Sequence, residues 1–281
     1  MNSSAATGIL SVFMISLLLS CNSSNTTTQE PAETKTTETP STPMNELAEF
    51  RFTYTIANLP PPMQVLDEFS KSGLPVNMSL LNSKSPENYH SSNKKAFNYG
   101  IYGIDLAYSV FNDRTPEILK YYSTVKTMAE ELDIAEPFNK FSSKFQENQG
   151  NRDSLTRMVD EVYNATDSYL RSNERLMTAS VILAGSWLEA QHITVNLLLN
   201  VNRTAENDAL FQRVWEQRLY LENVAKILES FPQDEELTKI KNDYSNLLLI
   251  YKEPTDSNGI TQEFLTKLAK NIREVRSRII S

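Results

Sequence analysis

The sequence predicts an all-α fold, an irregular multi-helix bundle of eight or nine helices behind a signal peptide and a disordered tether. From Pro60 onward, apolar residues recur at spacings of three and four, which is the period of a helix rather than of a strand. Glycine is scarce, with 7 in 281 residues, whereas β-sandwiches and dinucleotide-binding sheets usually need more in their turns. No repeating period of solenoid length is present, which argues against a repeat array.

The first twenty residues are predicted to be a lipoprotein signal peptide. Residues 9–19 (ILSVFMISLLL) form an apolar run that is too short for a bilayer span of ~20 residues but typical of a signal peptide. The run ends in Leu18-Leu19-Ser20-Cys21, which resembles the lipobox of bacterial lipoproteins. Cys21 would then carry diacylglycerol and an amide-linked chain such as palmitate. Residues 1–8 lack Lys and Arg, so a plain secretory signal stays open as the alternative.

Residues 21–43 are predicted to be the lipidated cysteine and a disordered linker, followed by a helical domain at 44–281. The linker is built from Ser, Thr, Pro and Glu, and it cannot bury enough apolar surface to offset its chain entropy. Cys21 is the single cysteine, so no internal disulfide can form. The net charge of −8 disfavours nucleic acid as a partner, because an acidic surface repels phosphate.

Helix signals place the elements of the domain in order. Gly73 ends the first helix, Pro116 lies in the first turn of the third, and Pro232 and Pro254 separate the last ones. The predicted helices lie at about 61–72, 94–111, 115–132, 136–147, two within 152–201 that part near 171–173, 204–230, 234–251 and 261–279. Residues 74–93 are polar and are predicted to be irregular.

Two helices are predicted to be central. Helices 94–111 and 174–200 are apolar on most faces, as helices surrounded by others must be. They contain Gly100, Gly103 and Gly185, although glycine inside a helix costs about 1 kcal/mol relative to alanine. The sequence therefore predicts that the two helices cross closely at these glycines.

A small set of residues on these helices is the candidate ligand site. Asp105 lies among apolar residues and is predicted to be buried, so it needs a partner, for which Tyr99, Tyr102 and Tyr108 offer hydroxyl donors. A buried acid is more often a structural anchor than a ligand-binding group, and both interpretations stay open. The candidate ligand-binding residues are Asp105, Tyr102, Trp187, Glu189 and His192.

A metal site is the alternative. Each histidine follows a glutamate by three residues, in Glu87-x-x-His90 and Glu189-x-x-His192, a spacing that ferritin-like bundles use to hold metal ions. Asp105 and Glu161 would supply further carboxylates. Ser85-Pro86 and Ser91-Ser92 flank the first pair and favour a loop there, so no metal or other cofactor is assigned.

The order of parts resembles that of the uncharacterised all-helical lipoproteins of Bacteroidetes-type bacteria. The resemblance rests on the leader, the cysteine, the Thr/Pro-rich spacer and three motifs: Asn98-Tyr99-Gly100-Ile101-Tyr102, Asp105-Leu106-Ala107-Tyr108 and Gly185-Ser186-Trp187-Leu188-Glu189. It covers most of the mature chain through loose motifs. The resemblance implies an envelope location and a helical fold, and it brings no activity or site residues.

The function predicted is that of a non-enzymatic envelope lipoprotein, a binding or scaffold module. The chain has no nucleophile elbow, P-loop, dinucleotide-binding turn or zinc-protease helix. The expected location is the outer membrane, lipid-anchored and facing the periplasm. The expected partners are the membrane, through the anchor, and either an envelope protein or a small ligand, with a ligand- or metal-binding bundle as the alternative.

Overall fold

Helices make up the regular structure of the residues that the computed structural model describes, which are 43–58, 61–232 and 235–281. Those residues contain no strand, so the all-α prediction is confirmed. The helices are α1 (Pro43–Asn58), α2 (Pro62–Lys71), α3 (Ser92–Phe111), α4 (Thr115–Glu131), α5 (Ala135–Glu147), α6 (Arg152–Ser172), α7 (Leu176–Leu198), α8 (Asp208–Leu228), α9 (Glu235–Tyr251) and α10 (Gln262–Ile279). The predicted signal peptide, Cys21 and the linker up to residue 42 lie outside this range.

The number of helices corrects the prediction of eight or nine, because the described residues form ten. The additional helix is α1, for which the sequence shows no one-sided apolar pattern. Its Ala48 and Phe52 are buried one turn apart, whereas Phe50 and Tyr54 are exposed. A helix with apolar residues around its circumference gives no amphipathic signal, so the spacing argument misses it.

The helix ends explain why so few glycines suffice. Asp113, Asp133, Glu174 and Asn200 have positive φ angles of 53°, 54°, 57° and 65° where helices α3, α4, α6 and α7 end. At the first three ends, the next amide bonds back to a carbonyl five residues earlier, as Arg114 does with Ser109 at 2.9 Å. Glycine is the usual residue at such left-handed helix ends. Here acidic and amide residues occupy these positions, so the chain needs fewer glycines.

The centre of the domain is the contact between α3 and α7, where two glycines allow the backbones to meet. A Cβ on Gly100 would stand 2.2 Å from the carbonyl oxygen of Ile182, and Gly185 is equally confined by α3. The predicted close crossing is therefore confirmed at these two residues. At Gly103 the prediction is wrong, because a Cβ there would meet no atom within 4 Å.

The connecting segment, defined as residues 72–91, runs between α2 and α3. It contains the short 3-10 helices Met78–Leu80 and Pro86–Asn88 and is otherwise irregular, as predicted. Within the described ranges, no helix has both the length and the apolar character needed to cross a membrane.

Candidate functional site

A buried ion pair joins α7 to α10. The guanidinium of Arg276 donates from Nε to Oε2 of Glu189 at 2.5 Å and from Nη2 to Oε1 at 2.7 Å. Glu189 is fully buried and Arg276 is 8% exposed. Burial in itself lowers the pKa of Arg276, but the charge and the hydrogen bond of Glu189, with smaller contributions from Asp105 and Tyr121, together raise it above its usual value. Such a bidentate contact compensates two charges that would otherwise be costly inside the protein.

Asp105, on α3, completes this buried cluster. Its Oδ2 accepts a hydrogen bond from the backbone amide of Asn82 at 3.0 Å, and its Oδ1 has no donor partner. Burial and then the negative charge of Glu189 raise the pKa of Asp105 well above its usual value. Both effects favour the protonated form of this carboxyl, whereas the charge of Arg276 and the amide of Asn82 favour the ionised form. The expected burial of Asp105 is confirmed.

The tyrosines near Asp105 bond elsewhere than predicted. Tyr102 donates its hydroxyl proton to the carbonyl of Lys84 at 2.7 Å, and Tyr121 donates to the carbonyl of Asn82 at 3.1 Å. Tyr108 accepts from the amide of Asn77 at 3.1 Å. These contacts all reach the connecting segment. The tyrosines thus hold that segment on the helices instead of donating hydrogen bonds to Asp105.

His192 lies one turn after Glu189 on α7 and is 5% exposed. Burial lowers the pKa of His192 to about 4, so the imidazole is neutral at neutral pH. The side chain borders a surface depression of about 310 Å³ together with Arg273 and residues 79–84. A neutral imidazole adds no charge to this depression.

Trp187 faces another part of the core. It is fully buried, with its ring centroid 5.6 Å from that of Tyr244 and 6.0 Å from that of Tyr251, both on α9. Two residues along a helix turn a side chain by about 200°, which separates Trp187 from the Glu189 face. We call Arg276, Glu189 and Asp105 the Arg276 cluster. The predicted ligand set is therefore divided, because His192 and Tyr102 lie beside this cluster and Trp187 lies apart from it.

The residues of the metal alternative do not form a ligand set. Glu87 lies in a short 3-10 helix and His90 is exposed beyond it, while Glu161 is exposed on α6. Throughout the described ranges, no group of three or more His, Cys, Asp or Glu side chains is placed to hold a metal ion. Both oxygens of Glu189 are occupied by Arg276.

A different feature, an apolar pocket, lies between α3 and helices α4, α5 and α6. It encloses about 80 Å³. Its lining on α5 is aromatic, and the ring of Phe145 stacks on that of Tyr122 from α4 with centroids 3.6 Å apart. The aromatic side chains of α5 in the lining are Phe138, Phe141 and Phe145. We call this space the α3–α6 pocket.

The lining on α6 changes character along the helix. Toward the beginning of α6 it is apolar; Tyr163, Thr166 and Asp167 come next, and Leu170 follows them. Thr166 is 4% exposed and its Oγ1 forms no hydrogen bond of normal geometry, although it faces the hydroxyl of Tyr99. Burial raises the pKa of Tyr99 to about 12. The second half of the α6 lining therefore holds polar groups with unused hydrogen-bonding capacity. The apolar residues on this helix are Leu155, Met158, Val159, Val162 and Leu170.

Two features of the site are missing from the sequence-based prediction. Arg276 lies 87 residues from Glu189. Its position on α10, four residues after Ile272 and three before Ile279, is the signal that could have placed it on the buried face. The α3–α6 pocket also left a signal, because Gly103 has no packing role and leaves space that a side chain would fill. The spacing of Tyr99, Gly103 and Leu106 places all three on one helix face.

Comparison of the chain with protein-family models, with curated proteins and with solved structures finds no match. The interpretation of the site therefore rests on its geometry and chemistry.

Proposed function

We propose that this protein is an envelope lipoprotein, anchored in the bacterial outer membrane through an acylated Cys21, whose helical domain binds a small apolar ligand without catalysing a reaction. The observation that carries the ligand-binding part is the α3–α6 pocket, an apolar space with a few polar groups in its lining. Small-molecule sites generally have this composition. The anchor part is supported by the sequence around Cys21.

The Arg276 cluster supports a structural role for the residues that first suggested chemistry. Glu189 is held by Arg276, and Asp105 is held by the amide of Asn82 and by Glu189. None of the three has a free reactive atom that faces the α3–α6 pocket, since none lines it. A buried polar network that joins α3, α7 and α10 serves to rigidify a core.

The ligand is tested by native mass spectrometry of the full chain purified from bacterial envelopes. We expect a bound small organic molecule on the wild-type chain and none on Gly103→Leu, whose side chain would occupy the pocket. Gly103→Ala is the matched control, because one methyl group should leave most of the space open. Equal ligand mass on all three chains would place the ligand outside the α3–α6 pocket and contradict the proposal.

The anchor is tested separately. Cells fed labelled palmitate should incorporate the label into the wild-type chain and not into Cys21→Ser, which should also leave the membrane fraction. Label on Cys21→Ser would refute the assignment of the anchor.

A second candidate function, docking of another envelope protein, is favoured by exposed apolar residues on α1. Phe50 is 67% exposed, and its ring stacks on that of Tyr54 with centroids 6.4 Å apart; Leu47 is 46% exposed on the same helix. Exposed apolar patches often mark protein contacts. Phe50→Ser should remove crosslinks to an envelope partner and leave binding in the α3–α6 pocket unchanged.

A further inference from the structure

The α3–α6 pocket has features that indicate the class of its ligand. We propose that it binds a single alkyl chain, laid along α6, whose head group is an alcohol or amine that donates a hydrogen bond to Asp167. This inference rests on the proposed ligand-binding function and specifies the chemistry of that ligand.

The shape of the pocket favours a linear chain. Its α6 lining runs from Leu155 to Leu170, fifteen residues or roughly 22 Å at about 1.5 Å per residue. The enclosed volume is about 80 Å³, which is small for that length. A long and narrow apolar space accommodates methylene groups in a row and excludes a compact ring system.

The apolar part of the pocket is poorly suited to water. A single water needs roughly 10–15 Å³, so several would fit by volume, but each needs two to four polar partners. Val159 and Phe138 offer none. Filling this space with methylene groups removes apolar surface from water and so favours binding.

Gly103 makes room for the chain on the α3 side. It lies in mid-helix, where alanine would be more stable, and no neighbouring atom requires its small size. Gly100, one turn earlier on the same helix, is confined by Ile182 and so has a packing reason. The missing side chain at Gly103 opens the pocket where α3 faces α6.

The polar residues of the lining determine the head group. Oδ1 of Asp167 is buried without a hydrogen-bond partner, whereas Oδ2 accepts from Arg171 at 3.1 Å. A buried acceptor without a donor is costly, so a ligand that supplies one gains that energy. Thr166 and Tyr163 beside it can donate or accept.

A carboxylate head group would be disfavoured beside Asp167. The described residues that line the pocket include Asp167 and no Lys, Arg or His. Arg171 lies on the other oxygen of Asp167 and does not line the pocket. A fatty acid would therefore place its negative charge beside another one, with no cation to compensate it.

The experiment titrates decylamine, decanol and decanoate into the full chain by calorimetry, with adamantanol as the compact comparison. We expect the amine and the alcohol to bind at least about tenfold more tightly than decanoate, and a tenfold difference in Kd corresponds to about 1.4 kcal/mol. Adamantanol should bind more weakly than decanol. Gly103→Leu should abolish binding, with Gly103→Ala as the control for folding and helix stability.

A second variant tests the head group without filling the pocket. Asp167→Asn should lower the affinity for decylamine by about tenfold, so that decylamine and decanoate bind more equally. The affinity for decanol should change less. Decanoate that binds as tightly as decanol would overturn the head-group assignment. Tighter binding of adamantanol than of decanol would overturn the alkyl class and leave the proposed function intact. No binding of any probe would overturn both.

The alkyl chain could come from a separate amphiphile or from the acyl chains on Cys21, and the same titration distinguishes them. Equal affinity of decanol for the lipidated chain and for Cys21→Ser assigns the pocket to a separate amphiphile. Weaker binding to the lipidated chain assigns it to the anchor, which then competes from within the molecule. Both results retain an alkyl chain as the ligand.

Discussion

A Cβ atom on Gly185 would stand 2.0 Å from the carbonyl oxygen of Phe97 on the facing helix. The contact is between backbones, so no side-chain rotation can relieve it. Helices α3 and α7 therefore depend on this glycine for their present separation, and the two glycines of α3 provide an internal comparison.

Alanine at the three glycines should give effects of opposite sign. Gly185→Ala and Gly100→Ala should lower the free energy of unfolding by about 3 kcal/mol or more, because α3 and α7 must move apart. Gly103→Ala should raise it by about 0.5–1 kcal/mol, since its Cβ meets nothing and alanine favours the helix. Urea denaturation measures all three, and a loss of stability in Gly103→Ala would contradict the open space at that residue.

Loss of the Arg276 side chain should be strongly destabilising. Arg276→Met leaves the fully buried Glu189 without its cation, which should cost about 3–5 kcal/mol in unfolding free energy. Arg278→Met, on the same helix, breaks an exposed pair with Asp243 and should cost less than about 1 kcal/mol. The double variant Arg276→Met with Glu189→Met should recover most of the lost stability. Equal losses in Arg276→Met and Arg278→Met would refute the argument.

Asp105→Asn should change how stability depends on pH. The folded protein raises the pKa of Asp105, so this residue's contribution is fully present below the unfolded pKa of about 3.9 and declines as pH rises toward the folded value. Asparagine imitates the protonated acid and removes that decline. The unfolding free energy of the variant minus that of the wild type should therefore rise from acidic to neutral pH, as measured by denaturation curves. A constant difference across pH would show that Asp105 is ionised when folded.

His192 should act with the opposite sign. Burial lowers its folded pKa to about 4, below the unfolded value of about 6.5. Its contribution is present above pH 6.5 and is lost as pH falls toward 4, because the unfolded chain takes up the proton first. The charges of Arg276 and Arg273 also disfavour the imidazolium, whereas that of Glu189 favours it. An NMR titration should find the His192 ring still neutral near pH 5, and protonation at pH 6 would contradict this.

The sequence predicted the parts of the fold that follow a local pattern. Helix α3 is predicted at 94–111 and observed at Ser92–Phe111, because its capping serine and apolar residues are adjacent in the chain. The helix predicted to begin at Thr204 begins at Asp208, after a turn in which the side chain of Asn207 accepts from the amide of Thr204 at 2.7 Å. Turn-forming and capping hydrogen bonds compete at such residues, and composition alone does not decide between them.

The candidate site was less predictable because its partners are distant in sequence. The burial of Asp105 follows from its apolar neighbours, but its contacts come from Asn82 and Glu189, on other elements. Tyrosines close in sequence were the expected donors, yet Tyr102 and Tyr108 satisfy backbone groups of the connecting segment instead. Irregular segments have more unpaired backbone groups than helices, so they attract nearby hydroxyls.

The connecting segment has a consequence for the order in which the chain acquires its structure. Arg276 donates to the carbonyl of Leu80 across a separation of 196 residues. Closing so long a loop is entropically expensive and slow, whereas α3 and α4 are neighbours in the chain and can pair early. The carbonyl of Leu80 therefore gains this partner only after α10 has been synthesised and has docked, whereas the contacts of Tyr102, Tyr108 and Tyr121 with the same segment can form once α3 and α4 have paired. A chain that stalls before α10 would hold residues 72–91 by fewer contacts, and proteases should cut them more readily than in the complete chain.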